Sequence, residues 1–415
     1  MKHITLSFLL CLSICSQSRS QVSNAYIDVK SGTQYQLIKT YDLNKLNSIL
    51  SQGLEEFLTS STMKYADFKG SFPPAKYPVS LYRVKYRSVV PEFDNQPTIA
   101  SGLVAVPETG LNSMPIVSYQ HGTVFTKTGV PSFPDESSET QLMVARFASQ
   151  GYIVIGADYF GKGLSDLPDS YLVKESTEQA CVDMWFAATN VLADKMIKPG
   201  KLFIHGWSQG GWATLTLLRK LESLGITVTA ATTASAPCDG YLLYDKWMNN
   251  YQSGDAVYIP ACVVLQILAQ EYYLRQDGLA ALAIRPAYIE AVRSFYNNTI
   301  DYTTFSKLTK TTLPEILNTN FMSGGNLGNN LYWRTLETLQ AYKWRSHTPM
   351  KNYYGESDEV VPVFIAKLPQ DIHKLLGCGP TTAISAGQNA DHRATYIYSV
   401  INAKTWFDDL LAAEH

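Results

Sequence analysis

The chain lacks the features that would mark it for nucleic acid, metal or a membrane span. Its 415 residues carry 34 Lys and Arg against 36 Asp and Glu, a formal net charge of −2. With no basic excess to meet phosphates and no acidic tail, nucleic acid is not an expected partner. Cysteine is scarce, six in all, and two of these fall in the first twenty residues. The other four, Cys181, Cys238, Cys262 and Cys378, match no metal-ligand spacing. No cofactor motif occurs, so neither metal nor cofactor is expected. The amino-terminal apolar run, 4–15, is too short to cross a bilayer.

That run has a different meaning. Lys2 and His3 precede it and Ser18-Arg19-Ser20 follow it. A basic start, about a dozen apolar residues and a small-x-small site describe a secretory signal peptide, cut after Ser20. Export to the periplasm or the medium is expected. Cys15 could anchor a lipoprotein, but Ile14 is bulky where such sites carry a small residue. An exported chain could pair its remaining cysteines, Cys238 and Cys262 being nearest in sequence, and the pairing stays open.

One stretch organises what is present. Leu202-Phe203-Ile204 reads as a strand, Gly206-Trp207-Ser208-Gln209-Gly210 as a turn, and 211–224 as a helix with Ala213, Leu217, Leu218, Leu221 and Leu224 on one face. Strand, G-x-S-x-G and helix make the context of a nucleophile elbow. The glycines are needed because side chains two positions either side of the serine would strike the helix or the neighbouring strand. The serine is held in a strained conformation that lifts its hydroxyl clear of the sheet.

Around this stretch the pattern alternates. Period-two runs over 79–89 and 98–106 predict antiparallel edge strands joined through Asp94-Asn95. Buried strands are predicted at 115–120, 152–158 and 227–234, with helices over 141–149 and 175–194. Strands alternating with helices of this length predict a mostly parallel sheet covered on both faces, an α/β fold. Strand signals then stop from 238 to 345. Aromatic-rich helical stretches take over, at 261–274, 286–296, 313–321 and 333–344. The sheet resumes at 349–355, followed by a helix over 363–376, a strand at 381–386 and a helix over 392–411. The organisation read from this is a leader at 1–20, an extension over 21–77 that packs on the core, the first part of the core at 78–237, a helical cap at 238–347 and the second part of the core at 348–415.

This order of parts resembles the α/β-hydrolase superfamily from about Val79 onward, in the layout of secreted lipases and esterases with a helical cap. Four separated motifs carry the likeness. They are the elbow at Ser208, His121-Gly122-Thr123 after the third core strand, Gly355-Glu356-Ser357-Asp358 running to Val361-Pro362 after the seventh, and His392 after the last. The resemblance implies a triad of Ser208, His392 and Asp358. It implies oxyanion donors in the amides of Gln209 and Thr123, with Gly122 as the fallback. The chemistry fits these residue types: a serine hydroxyl needs a base, histidine titrates nearest neutrality, and an aspartate fixes its tautomer.

Asp239 competes as the acid, its alternative role being to cap the first helix of the insertion. Glu356 and Glu359 read as surface charges, Asp391 as facing away, His121 and His205 as structural, and His373 as lying on a polar helix face. The expected activity is hydrolysis of a carboxylic ester borne on a small molecule, glycan or lipid. The runner-up is a serine exopeptidase, with Glu271 or Glu290 holding a free amino terminus. A third reading is a silent binding protein on the same scaffold.

Overall fold

The computed structural model describes residues 25–322 and 331–413. The expected leader and the glycine-rich run over 324–330 lie outside them. The described residues form a ten-stranded sheet in the order β1-β2-β3-β4-β6-β5-β7-β8-β9-β10. Its strands are β1 (Ile27–Asp28), β2 (Gln34–Tyr41), β3 (Val79–Val90), β4 (Gln96–Pro107), β5 (Ser113–Gln120), β6 (Ile153–Ala157), β7 (Lys198–Trp207), β8 (Ala230–Ala234), β9 (Met350–Tyr354) and β10 (Thr381–Ser385). From β1 to β6 neighbours run antiparallel, and from β6 to β10 they run parallel. Among the parallel strands, β6 is buried throughout and reads as a continuous apolar run because both of its faces are covered. Along β7, Leu202 and Ile204 enter the core on one face and Phe203 enters the other, as a period of two requires.

One expectation is corrected at the antiparallel side. The hairpin of β3 and β4 turns where predicted, with Asp94 and Asn95 both at positive φ. It is not the edge, because β2 pairs along β3 and β1 along β2. The extension therefore contributes strands to the sheet. Within β2 only Tyr35 and Tyr41 are buried, which leaves no alternation to read.

Helices Lys174–Asp194 and Gln209–Ser223 cover one face, and Ser138–Arg146 and His392–Ala412 the other. Leu224, predicted on the buried stripe of the elbow helix, lies past its last turn and is half exposed. Between β8 and β9 the described chain is helical, with seven-residue or longer helices at Gly240–Asn249, Ile259–Tyr273, Ile289–Tyr296, Tyr302–Leu308 and Leu331–Thr338. This segment ties itself to loops at the carboxyl ends of the strands. Tyr273 and Tyr296 donate to the carbonyls of Pro168 and Asp169 at 2.7 and 2.9 Å, and Trp247 donates to that of Val360 at 2.9 Å. All four cysteines expected to remain are free thiols.

Glu222, near the end of the elbow helix, fixes the chain entering β9. Its carboxylate accepts from the Trp344 indole, the Ser346 and Thr348 hydroxyls and the His347 and Thr348 amides. Burial alone would raise its pKa, but these donors outweigh burial and hold it below the ordinary range. A depressed folded-state pKa means the stabilisation is complete above the unfolded value and is lost as pH falls through the folded one. Glu222→Gln should cost about 2 kcal/mol in urea unfolding at pH 7. The gap to the native chain should close as pH drops below about 4.5. A gap that stays constant down to pH 3 would show that the charge contributes nothing.

Candidate active site

The elbow forms as its sequence requires. Ser208 stands between β7 and the helix Gln209–Ser223 at φ 57° and ψ −127°, a conformation that costs a non-glycine residue about 1–3 kcal/mol. Its surroundings hold it there. The Ser208 amide donates to the Ala234 carbonyl at 2.9 Å, and its carbonyl accepts from the amides of Gly211 and Trp212 at 2.8 and 3.2 Å. A Cβ on Gly206 would lie 2.2 Å from the Gly210 carbonyl oxygen, and one on Gly210 only 1.9 Å from that of Gln120. The helix excludes the first side chain and the neighbouring strand the second.

His392 opens the last helix. Its Nδ1 lies 3.0 Å from each carboxylate oxygen of Asp358, and both side chains are almost wholly buried. The Asp358 carboxylate also accepts from the amides of Val360 and Val361 at 2.9 and 2.8 Å. Burial would raise the pKa of Asp358, yet His392 and these donors bring it below the usual carboxylate range. Burial would likewise lower that of His392, but Asp358 and, less strongly, Glu359 push it above the ordinary histidine value. The pair thus favours a carboxylate that orients the imidazole through Nδ1.

Trp207 brings this pair to the elbow. Its indole N–H donates to the His392 carbonyl at 3.0 Å, and the two rings lie 4.9 Å apart. The indole stacks on Tyr396 at 4.9 Å and meets the edge of Phe57 at 5.9 Å. The Asp358–His392 pair, far from the elbow in sequence, thus lies beside the residue that precedes Ser208, at the carboxyl ends of the parallel strands, where open α/β sheets bind ligands.

The expected oxyanion donors divide. Neither the Thr123 nor the Gln209 amide has a hydrogen-bond partner among the described residues. The Gly122 amide is engaged, donating to both carboxyl oxygens of Glu139 at 3.1 and 3.0 Å, so the fallback donor is corrected. Thr123 is fixed from the other side, its hydroxyl 3.0 Å from that of Tyr171.

The competing residues find other work. Asp239 caps the helix Gly240–Asn249 through the Leu242 amide at 3.0 Å and accepts from the Tyr342 hydroxyl at 2.7 Å. His121 is buried against the Gly122 and Asp158 carbonyls, and burial lowers its pKa to about 4. His205 is buried with Nδ1 on Thr232, its pKa down to about 3. His373 was expected on a polar face but is buried beside Trp344, with Nδ1 2.9 Å from the Thr381 hydroxyl. Asp391 does face away, accepting from the Ser61 hydroxyl and the Thr62 amide at 2.7 and 2.6 Å.

Glu359 is corrected too. It is no surface charge, since its carboxylate accepts the His392 amide at 3.0 Å. There it sits at the positive end of the last helix, which would otherwise disfavour an imidazolium. Glu271 is also committed, bonding Arg293 at 2.9 Å and the Ala280 amide at 3.0 Å. Among the described residues, no three His, Cys, Asp or Glu side chains gather as a metal site would need.

Comparison with known proteins follows the same lines. The model of the prolyl oligopeptidase family matches residues 135–251, a span that contains Ser208 but neither Asp358 nor His392. No curated protein sequence matches the chain. Among solved structures, the rice cell wall degrading esterase LipA of Xanthomonas oryzae superposes with a TM-score of 0.77 at 19% identity, over 92% of this chain and 98% of its own. A Legionella pneumophila protein described as a hydrolase gives 0.77 at 20% identity, over 93% and 98%. Candida antarctica lipase A in its closed state gives 0.63 at 12% identity, over 91% and 82%. Likenesses at such low identity establish a shared fold.

Proposed function

We propose that this chain, an α/β-hydrolase in fold, is an exported serine hydrolase that cleaves carboxylic esters through an acyl-enzyme on Ser208. The observation that carries the reading is the buried Asp358–His392 pair delivered to the strained elbow by Trp207. His392 takes the Ser208 proton as Oγ attacks the ester carbonyl carbon. The oxyanion that forms is met by the amides of Gln209 and Thr123. The tetrahedral intermediate then expels the alcohol, which leaves with the proton from His392. Water, deprotonated by the same imidazole, releases the acid and restores the serine. The helical segment between β8 and β9 acts as the cap that excludes bulk water, consistent with a Ser208 only 9% exposed.

Ester chemistry is favoured by the likeness to proteins described as an esterase and a lipase. The family match favours a second reading, a serine peptidase. It finds less support in the cap, where Glu271 is already paired and Glu290 is exposed.

The deciding experiment is a hydrolysis panel on the protein from Gln21 onward, with fluorophosphonate-treated protein as the blank. It sets p-nitrophenyl esters of short to long chain and acylated oligosaccharides beside aminoacyl and dipeptidyl p-nitroanilides. Probe-sensitive ester turnover without anilide cleavage is expected. Anilide turnover equal to the best ester would make it a peptidase, and failure of the folded protein to take up probe would return it to a silent scaffold.

A further inference from the structure

We propose that Glu139 is the positioning residue of the oxyanion loop, holding the Gly122 amide so that the next amide, Thr123, faces the elbow. The inference rests on the serine-hydrolase reading of Ser208. Nothing in the local sequence marks this glutamate, which sits in the first turn of Ser138–Arg146, yet it is 92% buried, with an exposure of 8%.

Two carboxyl oxygens converge on one N–H, at 3.1 and 3.0 Å, and so fix its direction. β5 has ended at Gln120, so no strand neighbour can do this for Gly122. Space around the contact is closed. A Cβ on Gly122 would lie 3.2 Å from the Trp207 ring and 3.3 Å from Glu139 itself. Glu139 is itself held. Ser137 caps its helix, Tyr119 bonds Thr140 at 3.1 Å, and the Tyr396 hydroxyl donates to the Glu139 carbonyl at 3.1 Å. The loop thus rests on the carboxyl group of Glu139, and the last helix on its main-chain carbonyl.

Its charge state has a consequence. Burial pushes the Glu139 carboxyl up to about 8, opposed by the Gly122 amide and by Arg393 on the last helix. The other groups facing it are Tyr119, Tyr159 and Tyr396, all buried phenols with raised pKa values, and neutral His121 beside Gly122. None carries charge near neutrality except Arg393. In its neutral form, which burial favours, the acid holds the loop with no anion behind the oxyanion pocket. Ionisation at higher pH places a negative charge one residue from where negative charge must develop, and opposes it.

The test compares Glu139→Leu, which keeps the bulk and removes the acceptor, with Glu139→Gln, which keeps an acceptor that cannot ionise. Rates are normalised to fluorophosphonate-labelled sites and measured from pH 6 to 10 on the best ester of the panel. Glu139→Leu should lower kcat about tenfold to a hundredfold, short of the 10²–10³ for outright loss of a donor. KM should stay within about threefold, and affinity for a boronic acid analogue of the tetrahedral intermediate should fall in step with kcat. Glu139→Gln should recover most of the rate at pH 7 and lack the alkaline decline of the native enzyme. Native kcat per labelled site in the leucine variant would overturn the inference. If that variant does not fold, the glutamine variant decides, since an alkaline decline identical to the native one would equally overturn it. A native protein that takes up no probe fails the hydrolase reading first, and this inference with it.

Discussion

Ser208→Ala should lower kcat for the best ester by about 10⁶, and Asp358→Asn by about 10⁴, with both proteins folded. The asparagine effect follows from the hydrogen bonds that Asp358 makes. Its Oδ1 accepts the Val360 and Val361 amides, so the asparagine oxygen will take that position to keep them. The NH₂ group then falls where Oδ2 lies now, so one of the two oxygens 3.0 Å from His392 Nδ1 becomes a donor, while the other is already shared with the two amides. A donor there favours the imidazole that is bare at Nδ1 and protonated at Nε2, which cannot accept the serine proton. Some thermal stability should be lost as well, because the depressed pKa of Asp358 means that its charge stabilises the fold. Measuring kcat on purified variants alongside their melting temperatures checks both halves. A loss below tenfold in Asp358→Asn would mean that another acid orients His392.

The second large effect concerns folding. Gly210→Ala should destabilise the protein by about 3–5 kcal/mol, at the upper end for an added methyl group. The new Cβ would meet the Gln120 carbonyl oxygen at 1.9 Å, its carbon at 2.6 Å and the His121 carbonyl oxygen at 2.7 Å. All three are backbone atoms, so no side chain can swing aside, and the elbow helix must part from β5. Gly225→Ala is the control. There φ is +71° but nothing lies within 4 Å of the new atom, so only the conformational penalty of about 1 kcal/mol remains. Urea titrations of the two variants separate collision from backbone strain. Equal losses would remove the steric basis for the second glycine of the motif.

These two sites lie where the sequence was most legible, since the elbow is a local device. Its strand, turn and helix are consecutive, and the glycines sit where the helix and β5 press against them. The strands around it were legible for a similar reason, because full burial on two faces writes an unbroken apolar run. Legibility fails where function depends on long-range contact. Glu359 looks like a charge on a surface loop until the helix that starts at His392 places an amide against it. Glu139 is an ordinary first-turn glutamate until Gly122 comes to rest on it. Trp207 had no assigned part in the elbow, and only the fold brings His392, Tyr396 and Phe57 around its ring. The helix Tyr302–Leu308 escaped notice, and Gly240–Asn249 was foreseen only as the helix that Asp239 would cap, because the segment packs through scattered aromatics rather than a regular stripe.

The bond from Ser61 to Asp391 spans 330 positions, and it bears on the order in which the protein is assembled. Asp391 caps the helix whose first residue is His392, so the proposed base is seated only when the segment around Ser61 meets the segment around Asp391. The elbow needs only β5, β7 and β8, all made much sooner. A growing chain can therefore carry a finished nucleophile for a long interval while its partner is still unmade. Contacts of such separation form late, because the entropy of closing the loop is spent before they repay it. Activity in this protein should thus appear abruptly, at the close of folding. A chain that lacks Ser61 or ends before Asp391 should keep the elbow and show no ester turnover.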